Sequence, residues 1–351
     1  MGSTGIWSHR LQRAWLARGG LACALLPVAL VFGAVAGARR MAYRIGVWRT
    51  VTLGVPVVVI GNLIAGGAGK TPTVLAVVRQ LQRLGFAPGI VSRGHGRRAD
   101  EVLDVQPDTP VQRCGDEPLL LRLRSGVPVG VGRDRVAAGR ALLRTHPQVD
   151  VVVSDDGLQH LRLGRDAQVI VFDERGAGNG WLLPAGPLRE PLPAQVPPRS
   201  VVLYNADRPS TRLPGWIAQC GLAGAVQLSD WWQGQPGTPE ALAALAGLPL
   251  VAAAGVARPQ RFFAMLRQRG LQFSELPLPD HHAYATLPWP EGTPDVIVTE
   301  KDAVKLDPQR TGSTRVWVAA LDFAAGAGFD AALAALLPPA PIRRDHGDSS
   351  A

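Results

Sequence analysis

The sequence predicts an α/β protein in three parts: a mostly parallel sheet with helices on both faces, a smaller C-terminal α/β domain, and an apolar N-terminal helix. Three observations carry that reading. From about residue 55 onward, short β-branched runs alternate with helical patterns, as buried parallel strands and their covering helices do. The glycine-rich stretch GNLIAGGAGKTP (61–72) joins one such run to a helical one. An uncharged segment, GGLACALLPVALVFGAVAGA (19–38), precedes both.

At 351 residues the chain is long for one hydrophobic core and suits two domains plus an appendage. Its three cysteines, Cys23, Cys114 and Cys220, lie far apart and form no metal or disulfide pattern, as expected of reduced thiols in a cytosolic protein. The net charge of +9 is concentrated at the front: the first 50 residues hold Arg10, Arg13, Arg18, Arg39, Arg40, Arg44 and Arg49 and no acid. A nucleic-acid surface would spread basic residues over the core, so no nucleic-acid partner is expected; arginines flanking an apolar segment suit anionic lipid headgroups.

Segment 19–38 has the length of a bilayer span. A cleaved signal peptide and a buried core helix are alternatives. A membrane helix, spanning or partly inserted, is the favoured reading, because Trp7, Trp15 and Trp48 flank the segment as interfacial anchors do. Residues 1–48 are assigned to this membrane-associating part.

The core is assigned to residues 49–224. VPVVVIG (55–61) reads as a strand followed by the helix of the glycine-rich loop. APGIVSR (87–93), a short run near 127–131, VDVVVSDDG (149–157), AQVIVFDE (167–174) and SVVLYNAD (200–207) read as further strands. A helix is expected from about 133, and the Pro-rich stretch 184–199 reads as a surface loop. The second domain, 225–336, begins near AVQLSD and continues with helical TPEALAALAGL. LVAAAG (250–255) reads as a strand, PQRFFAMLRQRG as a helix, PDVIVTEKDAVKL as a strand running into a helix, and TRVWVAALD as the last strand. Residues 337–351 read as a flexible tail.

The loop at 61–72 carries the clearest chemistry. Gly66, Gly67 and Gly69 allow the backbone to curl around phosphates, with Ile64, Ala65 and Ala68 completing the turn. Lys70 can reach the β- and γ-phosphates of ATP, and the Thr71 hydroxyl can ligate Mg²⁺. The helix N-terminus adds its dipole. The strict pattern asks for glycine at position 64, where this chain has Ile64. Strand, loop and helix together predict a P-loop NTPase-like core. After the strand VVV, Asp155 and Asp156 sit where a Mg²⁺-side carboxylate belongs, although adjacent acids there can also cap a turn. Gln159 and His160 lie within a turn of them. Asp116 and Glu117 in CGDEPLLL read first as helix-start acids. Arg93 ends a strand on the side where such sheets bind ligands, and can hold a phosphate or form a surface ion pair. Asp280, His281 and His282 are too few for a zinc site. Glu300, Lys301 and Asp302 read as structural charges at a helix start. Asn205, at a strand end, is a guess for the adenine pocket.

In this order, GNLIAGGAGKTP, VSRGHGR, GDEP, SDDGLQHLRLGRD, GNGWLLPAGPLREP, GVARPQRFF, PDHHAY and VTEKDAVKL resemble the tetraacyldisaccharide 4′-kinases of Gram-negative bacteria, over about 55–306. The resemblance implies transfer of the ATP γ-phosphate to the 4′-hydroxyl of a tetraacylated glucosamine disaccharide 1-phosphate, giving lipid IVA. It makes Asp116 the catalytic base, supported by His281, and gives Mg²⁺ to Asp155 and Asp156. It places Glu117, Gln159, His160, Arg93 and one of Arg133 or Arg135 near the substrate. It also implies work at the cytoplasmic side of the inner membrane, with the N-terminal helix as lipid contact. Two positions depart from the family pattern: Ala68, where some members carry a hydroxyl, and His95, where tyrosine is common. A membrane-tethered ATPase that phosphorylates no metabolite is the rival reading; a nucleotide-binding scaffold with a degraded site is disfavoured by intact Lys70, Thr71 and Asp155.

Overall fold

A computed structural model describes residues 14–97, 100–326 and 328–341. Trp7, Arg10 and Arg13 of the expected anchor, and 342–351 of the expected tail, lie outside the described residues.

Twelve strands are named in chain order: β1 (Val57–Gly61), β2 (Pro88–Ser92), β3 (Leu103–Asp104), β4 (Val129–Val131), β5 (Val151–Ser154), β6 (Ala167–Asp173), β7 (Ser200–Asn205), β8 (Trp216–Gln227), β9 (Leu250–Ala254), β10 (Ser274–Pro277), β11 (Asp295–Thr299) and β12 (Arg315–Ala325). They form one sheet in the order β10-β9-β11-β12-β8-β7-β6-β1-β5-β2-β4-β3. All neighbours are parallel except β3–β4 and β8–β12.

β1 shows why the sheet is buried on both faces. Val58 and Ile60 belong to the core shared with Val74, Val77, Val78 and Leu81 of the helix Lys70–Arg83. Val57 and Val59 belong to a second core with Val136, Leu142 and Leu163. Alternation on a period of two sends neighbours to opposite layers, and each fully buried Val or Ile contributes about 1.5–3 kcal/mol.

The passage between the two halves of the sheet runs along a strand. Trp216 and Ile217 of β8 pair in parallel with Leu203 and Tyr204 of β7. From Ala218 to Gln227 the same strand pairs antiparallel with β12. The division expected at 224/225 therefore falls inside β8, which runs through it without a linker. β3, the front of β8 and β10 were not foreseen. β3 is two residues long, and β10 is exposed at its edge, so neither carries a strong apolar signal.

The apolar front segment is broken. Helices run over Gly20–Ala24 and Leu26–Arg44, with Leu25 between them. Leu26 to Ala38 leaves about 20 Å of uncharged helix before Arg39, short of the ~30 Å hydrocarbon core. Among the described residues no helix is long and apolar enough to cross a membrane. The segment makes contacts with the core. Trp15 Nε1 donates to Pro184 O at 2.9 Å, Asn179 Nδ2 donates to Ala14 O at 3.2 Å, and Arg40 pairs with Glu190 at 3.2 Å. A Cβ on Gly33 would lie 2.7 Å from the Leu182 side chain. Val28, Leu30, Val31 and Val35 of the longer helix stay exposed.

Candidate active site

The glycine-rich loop leaves β1 and turns into the helix Lys70–Arg83 through Gly69, whose φ is +80°. Only glycine takes that conformation freely, and a Cβ there would also lie 1.8 Å from Asn205 Nδ2. Lys70 Nζ is 3.4 Å from Asp156 Oδ1 and 3.4 Å from Asn62 Oδ1. Asn62 Nδ2 in turn donates to Gly66 O at 3.0 Å. Ile64 is fully buried, so its position supports packing in place of the missing glycine. Thr71, Gly67 and Gly69 line a cavity of about 240 Å³ that also takes in Asn205, Phe262, Glu300 and Lys301. Asn205 thus stands beside the loop, with its Nδ2 donating to Ala68 O at 3.5 Å.

The two acids after β5 differ in kind. Asp155 is buried and accepts from Ser92 Oγ at 3.0 Å, while its Oδ1 has no hydrogen-bond partner. Burial, with Glu117 and Asp156 nearby, pushes its carboxyl up to about 7. A buried carboxylate oxygen without a donor, next to further acids, is short of positive charge. Asp156 has its charge met by Lys70 and by Arg189 NH1 at 3.2 Å; burial would raise it, and those two cations hold it below the usual carboxylate range. Among the described residues no group of three or more His, Cys, Asp or Glu is arranged to hold a metal alone.

Asp116 is the first residue of the helix Asp116–Ser125, and Gly115 before it makes no side-chain cap. It is 5 % exposed. Its Oδ2 lies 2.8 Å from His281 Nδ1, across 165 residues of sequence, and 4.0 Å from Lys305 Nζ. Burial would raise the Asp116 carboxyl, but the His281 bond and the Lys301 and Lys305 ammoniums hold it below its ordinary range. The same bond raises the His281 imidazole. Glu117 is paired with Lys301 Nζ at 3.0 Å, which is also 3.4 Å from His281 Nε2 and 3.7 Å from Asp280. Asp116 and Lys301 do stand at helix starts, as the sequence reads them, and in addition each faces a partner from another part of the chain, His281 for Asp116 and Glu117 for Lys301. Folding brings the two motifs face to face, a fact that their spacing in the chain hides. His282 is engaged elsewhere: its Nδ1 accepts from Tyr284 N at 3.2 Å.

A second cavity, of about 600 Å³, has Asp156 in its wall. Arg39, Arg40, Arg93, Arg133, Arg135, Gln159, His160, Arg189 and Glu190 line it together with Phe32 and Val35 of the N-terminal helix. Arg135 is buried, and its NH2 donates to Asp156 O at 3.3 Å. Arg133 pairs with Asp100 at 2.8 Å and is largely exposed, so its charge is already met outside. Gln159 bridges Glu190 at 2.8 Å and Arg189 at 3.2 Å. Burial and Arg135 push the His160 imidazole down to about 4, so it is neutral at pH 7. His95, one of the two departures, lies 5.6 Å from the His281 ring and lines a third cavity with Asp116.

Sequence reasoning missed Asn62, Arg189, Glu190 and Lys305. Asn62 directly follows β1 and was legible as part of the loop. Arg189 and Glu190 sit in the Pro-rich stretch 184–199, whose composition reads as a surface loop and does not show that it folds back onto Asp156.

The family model for Tetraacyldisaccharide-1-P 4′-kinase, LpxK, matches residues 21–338. The chain is 58 % identical over 340 residues to a Tetraacyldisaccharide 4′-kinase of Methylibium petroleiphilum, covering 95 % of each chain. It is 59 % identical over 333 residues to one of Leptothrix cholodnii, covering 94 % of this chain and 96 % of that one. Its fold is similar to the crystal structure of an "apo" form LpxK from Aquifex aeolicus in complex with ATP. The TM-score is 0.75 at 24 % identity, over 91 % of this chain and 100 % of the other.

Proposed function

The chain belongs to the tetraacyldisaccharide-1-P 4′-kinase family, and on that premise we propose how its residues carry out the transfer. It is an ATP-dependent kinase of lipid A biosynthesis. It moves the ATP γ-phosphate to the 4′-hydroxyl of tetraacyldisaccharide 1-phosphate, giving lipid IVA.

The observation that carries the mechanism is the 2.8 Å contact between Asp116 Oδ2 and His281 Nδ1. The substrate hydroxyl oxygen attacks the γ-phosphorus, the bond from phosphorus to the β–γ bridging oxygen breaks, and ADP leaves. The hydroxyl proton passes to the Asp116–His281 pair. A carboxylate alone is a weak base for a sugar hydroxyl; the imidazole lets the pair take up the proton and fixes the carboxylate's orientation. Lys70 turns from Asp156 to the phosphates, where charge accumulates. Gly66, Gly67, Ala68 and Gly69 offer backbone N–H groups to the same phosphates.

Mg²⁺ fits the donors present: the Thr71 hydroxyl and the unpartnered Asp155 oxygen would hold it, and it would supply positive charge against the phosphates. Asp156, committed to Lys70 and Arg189, serves beside the site. Arg93, Arg135 and His160, on the wall of the 600 Å³ cavity, face the phosphorylated headgroup.

The exposed Val28, Leu30, Val31 and Val35, followed by Arg39, Arg40 and Arg44, form a helix suited to lie in one leaflet of the inner membrane on its cytoplasmic side. This orientation brings a lipid substrate to the cavity that Phe32 and Val35 help to line.

The test is transfer of label from γ-labelled ATP to purified tetraacyldisaccharide 1-phosphate in detergent with Mg²⁺. A labelled lipid is expected. Free labelled phosphate with no labelled lipid would overturn the kinase reading in favour of an ATPase.

A further inference from the structure

The carbonyl oxygens of the glycine-rich loop are held from outside by three side chains. Arg175 NH1 donates to Ala65 O at 3.4 Å and its NH2 to Gly67 O at 2.8 Å. Asn62 holds Gly66 O at 3.0 Å, and Asn205 holds Ala68 O at 3.5 Å. In a trans peptide the C=O and the following N–H point in opposite directions. The guanidinium on the carbonyls of Ala65 and Gly67 therefore turns the N–H groups of Gly66 and Ala68 to the opposite side, where an anion would sit.

Arg175 is itself held by Asp173, the last residue of β6, whose side chain is fully buried. Arg175 Nε and NH2 donate to that carboxylate at 3.0 and 2.7 Å. The same carboxylate takes a second guanidinium from the other half of the sheet: Arg258 NH2 lies 2.9 Å from Asp173 Oδ2, and Arg258 also pairs with Glu174. A buried carboxylate between two arginines is a pairing in which removal of either cation leaves charge unmet. A parallel path runs beside it. Arg261, also from the second half, donates to Asn205 Oδ1 at 2.7 Å, and Asn205 holds Ala68. Of these two arginines of the second half, Arg261 reaches a side chain that grips the loop, and Arg258 reaches the carboxylate that holds one.

We propose that Arg175 is a positioning residue for the nucleotide phosphates, and that Asp173 makes its grip on the loop depend on Arg258. This rests on the phosphate-loop reading of 61–72. In this role Arg175 acts through the loop, by setting which way its amides face. Arg258 acts through Asp173 by sharing the carboxylate that orients Arg175.

The test is ATP affinity, measured calorimetrically on the full chain, with KM for ATP, KM for lipid, kcat and melting temperature taken in parallel. Arg175→Ala is expected to weaken ATP binding roughly tenfold and raise KM for ATP about as much, with KM for lipid unchanged. Arg175→Lys, a point charge that cannot fork across two carbonyls, is expected to recover only part of this. Arg258→Ala is expected to weaken ATP binding about threefold, and the double variant to match Arg175→Ala alone. ATP affinity unchanged in Arg175→Ala, with only the melting temperature lowered, overturns the proposal and leaves a structural tie. Effects that multiply in the double variant overturn the coupling through Asp173. If Arg175→Ala does not fold, Arg175→Lys and Arg258→Ala carry the same comparison. A wild-type chain that binds no ATP overturns the phosphate-loop reading together with this proposal; a wild type that binds while both Arg175 variants bind equally well overturns this proposal alone.

Discussion

Asp116 combines near-complete burial with a hydrogen bond to an imidazole and two ammoniums nearby. That environment keeps the carboxylate charged and aims it. Asp116→Ala is expected to lower kcat by about 10²–10⁴ while ATP affinity changes little, read from steady-state kinetics and ATP titration; a pure affinity loss would return Asp116 to a structural role. The pH dependence follows from His281, whose imidazole the Asp116 bond raises above its ordinary value. Below that raised pKa the pair already holds the proton that it must accept, so kcat/KM rises with pH through an apparent pKa above about 6.5 and then levels off. The stability sign runs the other way. The His281–Asp116 interaction contributes fully below the ordinary imidazole pKa and is lost as pH rises through the raised one. A pH–rate profile from 6 to 9 that is flat or falling sinks the assignment. Lys70→Ala removes the loop's cation and is expected to cost at least ~10² in transfer rate; normal turnover would refute the phosphate-loop role.

At the scale of elements, the turn into the helix Lys70–Arg83 depends on Gly69. Its φ is +80°, and Asn205 Nδ2 stands 1.8 Å from where a Cβ would lie, which leaves no room for a side chain. Gly69→Ala is expected to lower ATP affinity at least ~tenfold and to destabilise the fold by about 1–3 kcal/mol, checked by titration and thermal melting. The N-terminal helix makes a different prediction. Leu30, Val31 and Val35 are 71 %, 65 % and 65 % exposed, so charging them costs the fold little. Leu30→Asp with Val31→Asp is expected to weaken sedimentation with anionic vesicles roughly tenfold or more while the melting temperature holds. Equal vesicle binding would show that this face contacts no lipid.

Over the whole molecule, charge pairs join the two halves of the sheet at the candidate site. Lys301 meets Glu117, Asp280 and His281 at 3.0, 3.7 and 3.4 Å, and Arg258 meets Asp173 at 2.9 Å. The halves also share the β8–β12 ladder, which holds their register while the charges set the close contacts. Lys301→Ala leaves Glu117 unpaired beside Asp155, and kcat is expected to fall roughly tenfold or more. An unchanged kcat would make Lys301 a structural charge after all.

The sequence alone determined the α/β class, the strands β1, β2, β4, β5, β6, β7, β9 and β11, most of β12, and the loop that holds Lys70 and Thr71. These are local properties: β-branched runs, a 3.6-residue period, and glycines where the backbone must curl. Tertiary structure decided the rest. Only folding sets Asp116 against His281 across 165 residues and brings the Pro-rich stretch back so that Arg189 meets Asp156. It also sets Lys301, a helix-start charge in the sequence, beside His281 and Lys305 beside Asp116, and breaks the apolar front segment at Leu25. The physical reason is the same in each case. Pattern along the chain reports which residues a segment buries, whereas pairing across the molecule depends on sheet order and register, which no single segment records.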